Sequence, residues 1–416
     1  MPMMGMAEIY IIMMMSGMFW GAGVVGTMGL PPGERDATLA RTAPADAVLY
    51  VEWAERTAGR KGAEGIDGLA ADPEVQQFLA DVYKAIETGI AKETERAGPE
   101  ERTAGKHAPP LVKMFLNRPG CLSVSFDEKS IKAGGGADRL PGMRWLSFVA
   151  AAKATLVVNG GKDAEKIAAH IQELVNLLPA DQRKKGLQRQ PLPLPPGAMG
   201  LSLTLHRHKN YFIVGFGKGT IDQAVAGLDG KSKGLTGRAA FSGARKRVSF
   251  KRTANFTWID AKSAVGKVKG LMGKEVGGTI KLLGLDDMQV VVSATGVVDG
   301  RIRSRSFLGT GGKTEGVLAL FSGRGIKKSD LEHVPADSDM VAAFSVNAKE
   351  ILAAIRKIVA VAAPGAKDDF EKLIKQFETE LGLKLEDDLM TAFGDVWVLH
   401  DSKSAGGVFV TSLVAS

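Results

Sequence analysis

Arg301, Arg303 and Arg305 stand at every second position of a stretch that reads as a β-strand, so their guanidinium groups share one face and could hold an anion together. Arg245, Lys246, Arg247, Lys251 and Arg252 make a second basic cluster, and Arg183, Lys184, Lys185 and Arg189 a third. The candidate anion-binding residues are Arg245, Lys246, Arg247, Arg301, Arg303 and Arg305. Charge of this kind suits lipid head groups or an anionic envelope polymer. The competing reading is solvated charge that keeps a sheet soluble.

Other motifs are weaker. Gly215-Phe216-Gly217-Lys218-Gly219-Thr220 is similar to a phosphate loop, but Phe212 stands where the first glycine belongs, and an ordinary strand-to-helix turn explains it. Gly230-Lys231-Ser232-Lys233-Gly234 satisfies G-x-S-x-G. A nucleophile elbow needs a strand before it, whereas here a helix precedes. His206 and His208 flank a hairpin turn with no acidic partner evident nearby, and His400 beside Asp401 lacks an identifiable nucleophile. One cysteine, Cys121, excludes an internal disulfide framework and a Cys-based metal site. No catalytic, cofactor-binding or metal-binding residue is assigned, and no cofactor is expected.

These residues are carried by recognisable elements. Ala47 to Trp53 reads as a strand. Asp72 caps a helix with an apolar stripe of Val75, Phe78, Leu79, Val82 and Ile86, and residues 93–110 read as a polar loop. A strand ending at Val158, a helix through Ile167, Ile171, Leu174, Val175 and Leu178, and a hairpin over 201–216 follow. Thr220 with Gln223 predicts a capping box for the next helix. Asn255 to Ile259 is a strand, Ala261 to Leu271 a helix, and Val290 to Phe307 a hairpin turned by Asp299-Gly300. At an offset of 87 residues Asp260-Ala261-Lys262 lies over Asn347-Ala348-Lys349, and Leu283-Gly284-Leu285-Asp286-Asp287 echoes Leu381-Gly382-Leu383 with Asp387-Asp388. The expected fold class is α+β: tandem β-α-β-β units with antiparallel hairpins and amphipathic helices on one sheet face, plus an N-terminal hydrophobic helix. The expected divisions are 1–33, 34–250, 251–330 and 331–416. The last unit still reads as strand near Ser416, so the chain is expected to pair there inside the sheet or to be a fragment.

The 416 residues suffice for two or three domains, and 45% hydrophobic with 24% charged residues excludes wholesale disorder or a multi-span membrane protein. The 54 Lys and Arg against 46 Asp and Glu give a net charge of +8, but aromatics at 6% do not interleave with bases, which argues against specific nucleic-acid binding. Ile9 to Leu30 offers 22 uncharged positions, enough at ~1.5 Å each to cross a hydrocarbon core of ~30 Å. An uncleaved anchor, a signal peptide lacking its basic n-region and a buried N-terminal helix are the three readings of it.

Three stretches carry a resemblance: Ala43-Pro44-Ala45-Asp46 leading into Val48-Leu49-Tyr50-Val51, Val334-Pro335-Ala336-Asp337-Ser338, and Leu381-Gly382-Leu383 through Asp387-Asp388-Leu389 to Phe393-Gly394-Asp395. Over residues 40–416 the chain resembles a bacterial envelope family of unknown function abundant in planctomycete-type genomes. The resemblance implies an N-terminal signal or anchor followed by repeated α+β units, and it brings no catalytic residues. The expectation is a non-enzymatic binding or structural module, exported or anchored in the inner membrane, in the periplasm or cell envelope. A peripheral polyanion- or lipid-binding protein and an undetected hydrolase are the alternatives.

Overall fold

The computed structural model describes residues 28–95, 98–127, 150–192, 202–272, 277–278, 280–281, 283–312, 316, 318, 324–338, 340–345, 348–362, 364–389, 396–401 and 412–415. The apolar segment expected to anchor the chain lies outside them except for its last three residues. Among the described residues no helix is long and apolar enough to cross a membrane.

The fold is α+β, with a large antiparallel sheet. The chain falls into two compact units, the first made of residues 1–271 and 290–309, the second of 272–289 and 310–416. In the first, α1 (Leu39–Thr42) leads to β1 (Leu49–Trp53), then α2 (Gly65–Ala71), α3 (Pro73–Glu95) and α4 (Pro99–Asn117). Next come β2 (Gly120–Phe126), β3 (Ala152–Asn159), α5 (Ala164–Val175), β4 (Gln190–Leu192), β5 (Leu203–His208) and β6 (Tyr211–Phe216). The unit closes with α6 (Thr220–Leu228), α7 (Ala239–Val248), β7 (Arg252–Ile259), α8 (Ala261–Met272), β8 (Met288–Val298) and β9 (Arg301–Thr310). The strands form one sheet in the order β4-β5-β6-β3-β2-β1-β7-β8-β9.

β1 sits inside this sheet because both its faces are apolar enough to bury. Tyr50 joins a core with Phe241, Phe256 and Trp258 under α1, α6 and α7, while Val51 and Trp53 pack on the other side with Val158. On β6, Ile213 and Phe212 divide the same way, Phe212 meeting α5 through Ile167 and Ile171. Helices therefore cover both faces, not one as expected from the amphipathic patterns. The expected division at residue 250 is not a break either: β7 pairs with β1 from Leu49↔Ile259 to Trp53↔Asn255, which makes β7–β9 continuous with the first region's sheet. Cys121 is buried in the same core, its Sγ 3.5 Å from Thr42 Oγ1, and burial pushes its thiol up to about 12.

Two local expectations give way to packing. Residues 93–110 are mostly helical rather than loop. Pro99 opens α4 where its missing amide costs nothing, and Leu111, Met114 and Phe115 bury against α5, which offsets Pro109 and Pro110 in the interior. The Thr220–Gln223 capping box does not form: Thr220 Oγ1 donates to the Gly217 carbonyl at 2.9 Å and Gln223 Nε2 to Ser232 Oγ at 3.1 Å. Asp72 caps α3 as expected, accepting from the Glu74 and Val75 amides at 2.8 and 3.2 Å. The α3 stripe is only partly covered, with Phe78 65% exposed.

In the second unit β10 (Met340–Ser345), α9 (Ala348–Ala362), α10 (Lys367–Leu381), β11 (Val396–Asp401) and β12 (Ser412–Ala415) make a three-stranded antiparallel sheet in the order β10-β11-β12. Its core includes Leu352, Ile374 and Leu385. The chain end that still read as strand is indeed β12, paired with β11.

Local geometry recurs where the sequence echoed itself. The Ala47 amide donates to Pro44 O and the Ser338 amide to Pro335 O, each at 3.1 Å, so both Pro-Ala-Asp segments are turns that feed a strand. Gly284 and Gly382 are both left-handed at φ +73° and +65°, and a short helical turn follows each, Leu285–Asp287 and Leu385–Leu389. Asp299 and Gly300 both have positive φ, as a type I′ hairpin turn requires.

Candidate functional site

α7 ends in Arg245, Lys246 and Arg247, which suits the negative pole of a helix, but the three side chains have different fates. Arg245 turns inward. Its guanidinium lies 4.4 Å from the Phe256 ring centre and 4.9 Å from that of Phe241, and it bonds Glu52. Glu52 is 2% exposed and also takes Arg35 Nε at 2.6 Å and the Tyr50 hydroxyl at 2.6 Å. Burial and the Glu52 charge push the Tyr50 hydroxyl well above its ordinary value. Arg245 is thus half of an internal ion pair, which removes it from the anion-binding set.

Arg247 and Lys246 stay exposed. The Arg247 guanidinium lies 4.6 Å from the centre of the Phe307 ring on β9, and Arg305 lies 4.4 Å from that of Phe250 and donates from Nη1 to Ser249 O at 3.3 Å. The alternation of β9 puts Arg301 and Arg303 on the same face as Arg305 and Phe307, and residues 301–306 are all exposed. The fold therefore joins Arg247 to Arg301, Arg303 and Arg305, more than fifty residues later in sequence, in one basic strip along the edge strand β9. Phe250 and Phe307, which fix two of its guanidinium planes, were missed from sequence; their only signal is their closeness to Arg247 and Arg305. The third cluster does not join them. Arg189 bonds Asp222 and Arg183 Nε donates to Leu178 O at 2.7 Å, next to β4 on the opposite edge of the sheet.

The other motifs resolve into structural turns. In Gly215–Thr220 the left-handed Gly217 and Gly219 carry the chain from β6 into α6. Ser232 of the G-x-S-x-G follows α6, takes the Gln223 amide and accepts from the Gly234 amide at 3.2 Å, which makes it a loop brace. His208 has the acidic partner that sequence did not reveal: its Nε2 is 2.9 Å from Asp229 Oδ1, and that bond holds the Asp229 carboxyl below its usual range. His206 is buried beside it, and His400 is buried on β11. Among the described residues no group of three His, Cys, Asp or Glu could hold a metal. A wide pocket of about 390 Å³ at the end of α10 is lined by Lys375, Glu378, Lys384 and Asp388, among others. Its carboxylates already accept backbone amides, Asp388 from Lys384 at 2.7 Å and Glu378 from Leu385 at 2.9 Å.

A second imidazole pair was not anticipated. His107 on α4 and His170 on α5 meet with Nδ1 atoms 3.0 Å apart, and burial together with His107 pulls His170 below its ordinary 6.5. Burial and His208 lower His206 likewise. In both cases the unfolded chain takes up a proton that the folded chain resists, so stability falls as the pH drops through 6.5 and levels off below the lowered folded value. His170→Gln should flatten this decline, read as the shift in urea midpoint between about pH 7.5 and about pH 5.5.

No protein-family model matches the chain, and no curated protein does. Among solved structures, crystal form I of TP0453 is similar at a TM-score of 0.30 and 8% identity, covering 71% of this chain and 90% of that one. Crystal form III of TP0453 gives a TM-score of 0.28 and 8% identity, over 69% and 88%. At that level the likeness fixes neither fold nor activity.

Proposed function

We propose that the chain is a non-enzymatic binding module of the bacterial envelope, exported or held in the membrane by the apolar segment before Met28, that binds anionic head groups or an anionic polymer. The observation that carries this reading is the strip formed by Arg247, Arg301, Arg303 and Arg305, in which Phe307 and Phe250 hold two guanidinium groups in place on an exposed edge. Preset guanidinium planes lose less freedom on meeting an anion than unsupported ones. We also read β3 with α5 and the β5–β6 hairpin, β7 with α8 and the β8–β9 hairpin, and β10 with α9 and the β11–β12 hairpin as related units in tandem, supported in the last two by the paired left-handed glycines.

The test is binding of the full-length chain, kept in neutral detergent so that its apolar segment contributes nothing, to an immobilised anionic polymer such as heparin. Binding should fall steeply with added salt, and because a basic side chain at such a surface is worth roughly 1 kcal/mol, Arg301→Ala, Arg303→Ala and Arg305→Ala together should weaken it on the order of 100-fold. A salt-independent interaction, or one that the triple variant leaves intact, would remove this reading.

A further inference from the structure

The first described residues are fastened to one end of the large sheet. Asn255 Nδ2 donates to Met28 O at 3.2 Å, the Thr57 amide to Pro31 O at 2.9 Å, Arg252 Nη2 to Pro32 O at 3.2 Å, and the Gly33 amide to Glu55 O at 2.7 Å. Leu30 is buried with Ala254, Val297 and Ile66. Gly29, at φ +71°, passes so close to the Ala254 carbonyl that a Cβ would collide with it. The partners lie where β1 ends, β7 begins and β8 ends, so Met28–Gly33 occupy a single end of the sheet, without slack.

The same end carries exposed basic and apolar side chains. The Ile66 amide donates to Gly300 O at 2.9 Å, which docks the β8–β9 turn on the start of α2. This brings Arg60 and Lys61, in the segment before α2, to the same end as Arg301 and Arg303 at the start of β9, and all four are exposed. Ile302 at 49% and Leu69 at 56% are exposed among them. Glu64, Asp67 and Asp299 are the acids of the two docked segments, and Asp67 is buried in its ion pair with Arg252, which leaves two exposed acids against four cations.

We propose that this end of the sheet rests directly on a bilayer surface bearing anionic phosphate head groups, with Arg60, Lys61, Arg301 and Arg303 at head-group level and Ile302 and Leu69 dipping towards the acyl boundary. The proposal rests on the membrane-anchored form of the function above. On the anchored reading, the 19 uncharged residues from Ile9 to Thr27 would amount as a helix to about 28 Å against a hydrocarbon core of ~30 Å. An anchor of that length would bring the bilayer against the part of the domain that holds Met28. Cations with interspersed apolar side chains are what a head-group layer accommodates. A partner protein at this end would have to share it with the bilayer.

The full-length chain, reconstituted in vesicles of phosphatidylcholine and phosphatidylglycerol in equal parts, tests this. Ile302→Cys and Lys218→Cys each take an environment-sensitive fluorophore; Lys218 is exposed beyond the end of β6, at the opposite end of the sheet, and buried Cys121 stays unlabelled in the folded protein. The expected result is flotation with the vesicles and several-fold stronger quenching by a head-group-level lipid quencher at position 302 than at 218, with the difference reduced in Arg60→Glu/Lys61→Glu. Flotation with equal quenching at the two positions overturns the orientation and leaves the anchor standing. A chain that does not float overturns the anchor and the orientation with it.

Discussion

Replacing Glu52 with alanine is expected to destabilise the first unit by about 3–5 kcal/mol, the cost of leaving a buried charge without its partner. Glu52 pairs with the charges of Arg35 and Arg245 and accepts from the Tyr50 hydroxyl at one buried point. Without it the Arg245 guanidinium stays among Phe241, Phe256 and Tyr50 with no carboxylate to answer it. Arg35 is a third exposed and can turn to water, so Arg35→Ala should cost much less than Arg245→Ala. Removing both charges together as Glu52→Leu/Arg245→Leu should restore part of the loss, because a well-packed apolar pair avoids the desolvation of two ions. Urea midpoints followed by tryptophan fluorescence report all four variants; a Glu52→Ala loss under about 1 kcal/mol would show that water reaches the site and that the charges are not held dry.

Phe241→Ala should be comparably severe, about 3–5 kcal/mol, because it empties the centre of the core under α7. The Phe241 ring meets Tyr50, Phe256 and Trp258 edge-on with centroids 5.6, 5.7 and 5.6 Å away, and such contacts add to the simple loss of buried area. The same ring is one wall of the Arg245 site, so Phe241→Ala and Glu52→Ala share a neighbour. Their combined effect should fall short of the sum of the two by more than the ~0.5 kcal/mol within which distant sites add. Strict additivity in a double-mutant cycle would mean that the aromatic walls contribute nothing to holding the guanidinium.

Much of the local structure was legible from residue order alone, because it depends on neighbours. The Asp72 cap, the positive-φ turn at Asp299-Gly300 and the hairpin across Lys209-Asn210 each follow from a few adjacent side chains. What sequence could not supply was pairing across distance. Nothing in β1 or β7 announces that they lie side by side, and so a division at residue 250 looked natural where the sheet is in fact continuous. The helix across Pro109 and Pro110 has the same origin, since its stabilisation comes from α5 and not from its own composition. The candidate site divided along this line too. The alternation of Arg301, Arg303 and Arg305 is visible in the sequence, but Arg245 could not be told from Arg247. One faces Glu52, nearly two hundred positions earlier, and the other faces Phe307.

The single sulfhydryl of the chain is sealed beneath α1, and burial raises its titration far enough that the reactive anion is scarce at neutral pH. Folded copies should therefore pass through oxidant-rich surroundings without becoming covalently joined. Any disulfide-linked dimer seen on a non-reducing gel would then count the molecules that had opened, giving a built-in tally of unfolding events.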